Sequence, residues 1–523
     1  MKHYAPALRR DSMHNRQHQE VIHHSFTSKI LHGLQWAYVS VVAQGVLKLA
    51  VLVVLARVLT PRDFGLLGFA LICTNFVERV GQLGVTPALV QCEVVSVNTI
   101  TTARLMSVGL GFLTGTLVYL TAGFMARFFD EPTLKVILEV LSVGCILEAL
   151  AATPDALLQR DLQFKRIMVA DTVSYFVGMG IVGIALALAG WGVWALVTAT
   201  LWMKGIRLLI MRLYVGRTCG GSWSWNESAQ LLSMGFGFSL GRLLNFFSLQ
   251  GDNFVVGRLL GVEALGFYTR AYQLMTLPAM YIGQVFEKVM FPAMAQEQRN
   301  LVRLQRSFLL TLEAVGVVAL PAGVCLYLLA EEIVIVGFGE RWRPIIPVLQ
   351  ILSFGVFFRT AYKCSDIVVR SVGAVYRYAQ CQAWYSVMVI GGAVLGAMAW
   401  ELRGVAIGVV VAVALNYASM TRLSSRVIGT SGRALLGAHL LGVWVSIPLV
   451  IVLRGVLPWI MDGGEPSITV LAVAVVISGL VWCGALGIAI VICDYGLAGL
   501  LRGFICRAFA RIWTPQLADS PRP

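Results

Sequence analysis

Ionisable side chains interrupt the apolar stretches of this chain at Lys48, Glu78, Arg79, Asp171, Arg242, Arg270, Glu313, Arg359, Lys363 and Asp366. A charge inside a membrane span is costly, so such residues face a protein interior or a water path. Their types divide the chemistry. Arginine and lysine suit oxyanions, arginine through two parallel hydrogen bonds. A buried carboxylate suits a proton or a metal cation. Some spacings also fit plain structure: Glu78 adjoins Arg79, and Lys363 and Asp366 stand i, i+3, the spacing of a local helical pair.

Other reactive residues form no constellation. The ten cysteines are scattered without a CxxC or CxxH pair, which makes them small apolar filler rather than a disulfide or zinc framework. His3, His14, His18, His23, His24 and His32 crowd the first 32 residues, and His14 and His18 have i, i+4 spacing. No third ligand type accompanies them, so the segment reads as a polar tail and no metal is expected. No paired catalytic carboxylates, nucleophile motif or phosphate-cradling loop is present, and no cofactor is expected.

The elements that must position these residues are membrane helices. Of 523 residues, 58% are hydrophobic and 13% charged, against roughly 25% charged in a soluble domain. The mean hydropathy is +0.78. The composition predicts an all-α polytopic membrane protein with about fourteen spans. They lie near 36–58, 64–86, 104–126, 133–153, 167–189, 191–213, 230–256, 264–290, 305–329, 345–370, 378–400, 404–424, 435–457 and 468–493. The expected organisation is a cytoplasmic tail (1–32), two six-helix lobes (33–216 and 217–430), two extra helices (431–494) and a basic tail (495–523).

The net charge of +14 is topological under this plan. With the N-terminus inside, Arg160, Lys165, Arg166, Arg207, Arg212, Arg217, Arg422, Arg426 and Arg433 fall on inner links. Asp63, Asp130, Glu131, Glu263, Glu331, Glu340 and Glu401 fall on outer ones. That bias places both termini in the cytoplasm and removes any need for a nucleic-acid partner. The sequon Asn226-Glu227-Ser228 is then cytoplasmic and carries no weight.

The two lobes echo each other. Ala56-Arg-Val-Leu-Thr-Pro-Arg-Asp-Phe-Gly65 resembles Gly257-Arg-Leu-Leu-Gly-Val-Glu-Ala-Leu-Gly266. Each segment closes the first helix of a six-helix block, turns outside, and opens the next helix at a glycine. Blocks of equal helix number share one orientation, so the lobes are related by a parallel pseudo-two-fold axis along the membrane normal. Pro87, Pro278, Pro321 and Pro448, with Gly111-x-x-x-Gly115 and Gly237-x-x-x-Gly241, suit kinked and closely packed spans.

These same phrases carry a family resemblance. Residues 56–70, with Gln82-Leu-Gly-Val-Thr-Pro-Ala-Leu-Val-Gln91, resemble the opening of Wzx-type polysaccharide flippases, most closely the WzxC/TuaB-like branch. Asp252-Asn-Phe-Val-Val-Gly-Arg-Leu-Leu-Gly261, Leu265-Gly-Phe-Tyr-Thr-Arg-Ala-Tyr272 and Phe338-Gly-Glu-Arg-Trp342 are similar to later phrases of that branch. The resemblance spans about 30–425 and leaves the last two helices unmatched. It implies the multidrug/oligosaccharidyl-lipid/polysaccharide exporter superfamily. It also implies alternating access of two lobes, and an undecaprenyl-pyrophosphate-linked oligosaccharide as cargo for exopolysaccharide synthesis. Membrane lipid, a polysaccharide polymerase and a chain-length regulator are the partners in this picture.

A diphosphate head group needs cations. Lys48 and Arg242, central in the first helix of each lobe, are the leading candidates, with Arg270 and Lys363 beside them. Asp171, Glu313 and Asp366 are the carboxylates a coupling ion would use, with sodium and protons both open. Rival expectations are a peptidoglycan-precursor flippase or a drug/cation antiporter of the same superfamily, and further off a polyprenyl-dependent glycosyltransferase or polymerase. Mid-span bases outnumber acids, which disfavours the antiporter. The outer links are too short for a catalytic loop, which disfavours the enzymes.

Overall fold

The computed structural model describes residues 44–81, 84–92, 94–216, 220–296, 300–372, 375–461 and 466–492. The histidine-rich segment 1–32 and the basic segment 495–523 lie outside the described residues. So do the side-chain surroundings of Arg242 and the contacts of Gly237 and Gly241.

The described chain is helical throughout. The first block comprises α1 (44–58), α2 (Pro61–Gly81), α3 (Val85–Gln91), α4 (Val97–Phe128), α5 (Thr133–Arg160), α6 (Phe164–Tyr175), α7 (Ile184–Leu188) and α8 (Val193–Val215). A π-helical stretch, Phe176–Gly183, joins α6 to α7. The second block comprises α9 (Trp225–Leu260), α10 (Val262–Gln296), α11 (Leu301–Leu328), α12 (Ala330–Gly337), α13 (Ile346–Ser353), α14 (Gly355–Ser371) and α15 (Val375–Ile428). Two helices follow, α16 (Gly432–Met461) and α17 (Ile468–Ile492).

Local chemistry sets the helix ends. Ser96 opens α4 with a capping box: its hydroxyl accepts from the Thr99 N–H at 3.0 Å, and its own N–H donates to Thr99 Oγ1 at 3.1 Å. Ser224 caps α9. The 54-residue α15 breaks at Trp400 and Glu401, where Glu401 takes φ 50°. Its two arms then run back against each other. A Cβ on Gly404 would stand 1.9 Å from the Gly396 carbonyl oxygen, so only glycine permits this backbone contact.

Eight described helices are individually long and apolar enough to cross a bilayer, nine if Glu340–Ser353 and Gly355–Ser371, bent by 41°, form one span. That tally does not reproduce the expected fourteen. It takes α15 once despite its two arms, and it passes over α10, where Glu263, Arg270 and Gln273 interrupt the apolar run.

Helices α4, α5 and α8 pack together in the first block, and α9, α14 and α15 in the second. The blocks meet along α2 and α10. There the echoed glycines touch the opposite lobe reciprocally. A Cβ on Gly65 would lie 1.9 Å from the Val262 carbonyl oxygen, and one on Gly266 would lie 1.9 Å from that of Pro61. Trp342, fully buried, donates its indole N–H to the Ala56 carbonyl at 2.9 Å and packs on Phe64. Arg57 donates from Nε to the Gly337 carbonyl at 3.1 Å. This end of the lobe interface is therefore closed by backbone contact.

Candidate functional site

Three groups of charged side chains stand apart in the structure. The first lies inside the first lobe. Lys204 of α8 pairs with Glu78 of α2 at 2.7 Å and with Glu148 of α5 at 3.9 Å. Arg207, one turn further, reaches Glu148 at 3.6 Å, Asp155 at 3.3 Å and Asp171 of α6 at 2.7 Å. Four carboxylates thus surround two bases, and Asp155 Oδ1 has no hydrogen-bond partner. Glu148 and Asp155, with Thr86, Gln91 and Gln159, line an open cavity beside the network.

The second group lies where the lobes face each other. Lys48 of α1 is exposed, and its ammonium stands 5.8 Å from the centre of the Tyr175 ring. One turn earlier, Gln44 donates to Thr172 Oγ1 at 2.7 Å, tying α1 to α6 just before the π-helical stretch. Arg270 of α10 lies with its guanidinium 4.4 Å from the centre of the Phe64 ring of α2 and hydrogen-bonds Gln273. Its Nε is buried without a partner, and it lies within electrostatic reach of Tyr175. Tyr281 of α10 fits against Gly45, where a Cβ would meet its hydroxyl oxygen at 2.2 Å. Lys363 of α14 passes over Gly283 of α10. At 1.5 Å rise per residue, Arg270 sits about 12 Å and Gly283 about 31 Å along α10 from Val262, and Lys48 about 15 Å from Val58 at the end of α1. Cations therefore line the interface at several depths below the glycine closure.

The third group lies inside the second lobe. Arg359 of α14 faces the Tyr272 ring at 5.0 Å, and its Nη1 donates to the Tyr385 hydroxyl at 3.4 Å. Asp252 of α9 is buried nearby and accepts from Tyr268 at 2.7 Å and from the Asn253 N–H at 2.9 Å.

The sequence-predicted residues distribute unevenly over these groups. Lys48 and Arg270 come together around Tyr175, and Lys363 reaches from α14 onto α10 at a deeper level, over Gly283. Arg242 lies on α9, with its side chain outside the described residues. Asp171 belongs to the first-lobe network through Arg207, and Asp366 pairs with Arg370 at 2.9 Å, one turn on. Glu313 is buried on α11, away from all three groups in sequence.

Sequence reasoning passed over Lys204, Glu148 and Asp155, and placed Arg207 on an inner link. Their signal was available: Glu148 and Asp155 are i, i+7 on one helix, and Lys204 and Arg207 are i, i+3 on another. Of the tyrosines around Arg359, Tyr362 lies one turn on along α14, but Tyr272 and Tyr385 come from α10 and α15 and had no such signature. Among the described residues no group of three or more histidine, cysteine or acidic side chains could hold a metal ion.

Comparison with known proteins concerns the chain as a whole. The lipopolysaccharide biosynthesis protein WzxC of Escherichia coli (strain K12) is 25% identical over 440 residues, covering 82% of this chain and 87% of its own. The succinoglycan biosynthesis transport protein ExoT of Rhizobium meliloti (strain 1021) is 25% identical over 329 residues, 62% of this chain and 65% of its own. Among solved structures, the lipid II flippase MurJ in an inward closed conformation superposes with a TM-score of 0.71 at 13% identity, over 86% of this chain and 97% of its own, which shows a shared fold. Residues 54–347 match the family described as polysaccharide biosynthesis protein. With more than half of its length inside that match, the chain belongs to this membrane family of polysaccharide biosynthesis.

Proposed function

We propose that the protein is a flippase that carries an undecaprenyl-pyrophosphate-linked oligosaccharide across the bacterial cytoplasmic membrane for exopolysaccharide or a related polymer. It is a transport protein and not an enzyme, as are the similar proteins whose names state transport. The observation that carries the reading is the pairing of Lys48 and Arg270 with aromatic rings rather than carboxylates. A base that stacks on a ring keeps its full charge, so the lobe interface offers a positive surface to a diphosphate. Tyr175 and Tyr281 add ring faces and hydroxyls of the kind sugars use.

In this reading both termini are cytoplasmic, and the two lobes (33–216 and 217–430) rock about the interface. The Gly65–Val262 and Gly266–Pro61 contacts close its outer end, leaving the cations accessible from inside. Helices α16 and α17 lie outside the pseudo-symmetric pair. The head group would meet Lys363 first and then Lys48 and Arg270, with Arg242 on the facing helix α9. Coupling by a proton or sodium ion is assigned to carboxylates, and the first-lobe network is the favoured place for a proton, because its acids exceed its bases while no three acidic side chains among the described residues are placed to hold a metal ion. Asp171 is the predicted carboxylate within it; Glu313 and Asp366 are the alternatives. A polymerase and a chain-length regulator would receive the product outside.

The test is complementation of a deletion strain. Arg270→Ala or Lys48→Ala protein, present at normal level in the membrane, is expected to reduce polymer output about tenfold and to leave lipid-linked repeat units on the cytoplasmic face. Polymer output at the wild-type level with both variants would refute the site.

A further inference from the structure

A cleft of about 650 Å³ lies between α14, the second arm of α15 and the start of α16. It falls within the roughly 300–1,000 Å³ of small-molecule sites. Its wall is graded. Phe357, Phe358, Leu435 and Leu436 form the apolar side, and Arg422 stands at the mouth, six residues or about 9 Å from the end of α15 at Ile428.

The floor is polar and carries no acidic side chain among the described residues. Tyr417 and His439 Nε2 are 2.6 Å apart, and His439 Nδ1 is 2.5 Å from the Leu435 carbonyl. A carbonyl can only accept, so Nδ1 carries a proton toward Leu435, and Nε2 is left to hydrogen-bond the Tyr417 hydroxyl. No acidic residue lines the cleft among the described residues, and Arg422 has no ion-pair partner among them. Arg426 and Arg433, both exposed, stand at the same helix ends. An apolar trough ending in an unopposed arginine beside further arginines is complementary to an acyl chain with a phosphate at one end.

We propose that this cleft holds one anionic phospholipid of the surrounding membrane, its phosphate at Arg422 and an acyl chain along Phe357, Phe358, Leu435 and Leu436. The transported lipid is a poorer occupant. None of the lining residues comes from the first lobe or from α10, so a lipid seated here does not reach Lys48 or Arg270. The resident lipid instead seals α16 against the second lobe.

The test is lipid retention, which is independent of transport and therefore of the flippase reading. The full chain is taken from vesicles of equal phosphatidylglycerol and phosphatidylcholine, exchanged into detergent, and weighed intact with its bound lipid. The wild-type protein is expected to keep one phosphatidylglycerol and no phosphatidylcholine. Arg422→Ala is expected to lower that retention about fivefold, the effect of one basic residue near a lipid surface. Leu435→Trp, which fills the trough, is expected to remove it. Arg422→Lys, which keeps the charge, should retain the lipid and serves as the folding control. Equal retention of both lipids, unchanged retention in both Arg422→Ala and Leu435→Trp, or displacement by added undecaprenyl phosphate would each overturn the proposal.

Discussion

Lys204 and Arg207 inside the first lobe and Lys48 and Arg270 at the lobe interface are all bases within membrane helices, yet their surroundings differ in kind. Lys204 and Arg207 are enclosed by Glu78, Glu148, Asp155 and Asp171 at 2.7–3.9 Å. Lys48 and Arg270 face the rings of Tyr175 and Phe64. A carboxylate neutralises a base and fixes helices to one another. A ring holds the base in place without cancelling its charge. The first arrangement makes structure, and the second leaves charge available for an anionic cargo.

Substitutions should separate the two regions. Arg207→Ala leaves two partly buried carboxylates, Asp155 and Asp171, without their base, while Glu148 keeps Lys204, and is expected to cost about 3–5 kcal/mol of stability. It should be read as lost membrane protein or a lowered unfolding temperature, and substituting Asp155→Asn and Asp171→Asn as well should recover part of the loss. Gly65→Val comes next. Its side chain collides with the Val262 carbonyl, so this end of the lobe interface cannot close. Export should fall by more than tenfold while α2 still folds, measurable as polymer output against protein level.

Arg270→Ala should show the opposite signature to Arg207→Ala: a nearly unchanged unfolding temperature with polymer output lowered about tenfold, the weight of one charge-assisted phosphate contact. An equal loss of stability in Arg207→Ala and Arg270→Ala would erase the distinction.

The smallest effect is expected at an exposed pair outside both regions. Arg343, 2.9 Å from Glu340, hydrogen-bonds that carboxyl and holds it below the usual carboxylate range. The pair's contribution is thus present above the ordinary carboxylate pKa near 4.3 and is lost as pH falls through the lowered value. Glu340→Gln should leave export at pH 7 unchanged and only flatten the fall of stability between about pH 5 and pH 3.

Much of this arrangement was legible in the sequence, and the remainder failed for physical reasons. Hydropathy located the helices, because a bilayer demands long apolar runs. The echo of Ala56–Gly65 in Gly257–Gly266 marked two equivalent glycines, and the fold brings them into reciprocal contact. The bases Lys48 and Arg270 stood out as charges within apolar runs. Their partners did not, because a tyrosine or phenylalanine in an apolar helix looks like any other core residue until the fold brings it under a cation. Lys204 and Arg207 were obscured by their nearness to a helix end, where a basic residue is expected on topological grounds. Their carboxylate partners come from α2, α5 and α6, and only packing assembles them.

The central claim is that the interface cations, and not the first-lobe network, hold the head group. Its most direct test is the affinity of purified protein for an undecaprenyl-diphosphate-linked sugar, compared between Arg270→Gln and Glu148→Gln at equal folded concentration. Arg270→Gln is expected to weaken binding about tenfold or more, the scale of one charged hydrogen bond, while Glu148→Gln binds like the wild type. Undiminished binding by Arg270→Gln, or an equal loss in both, would contradict it.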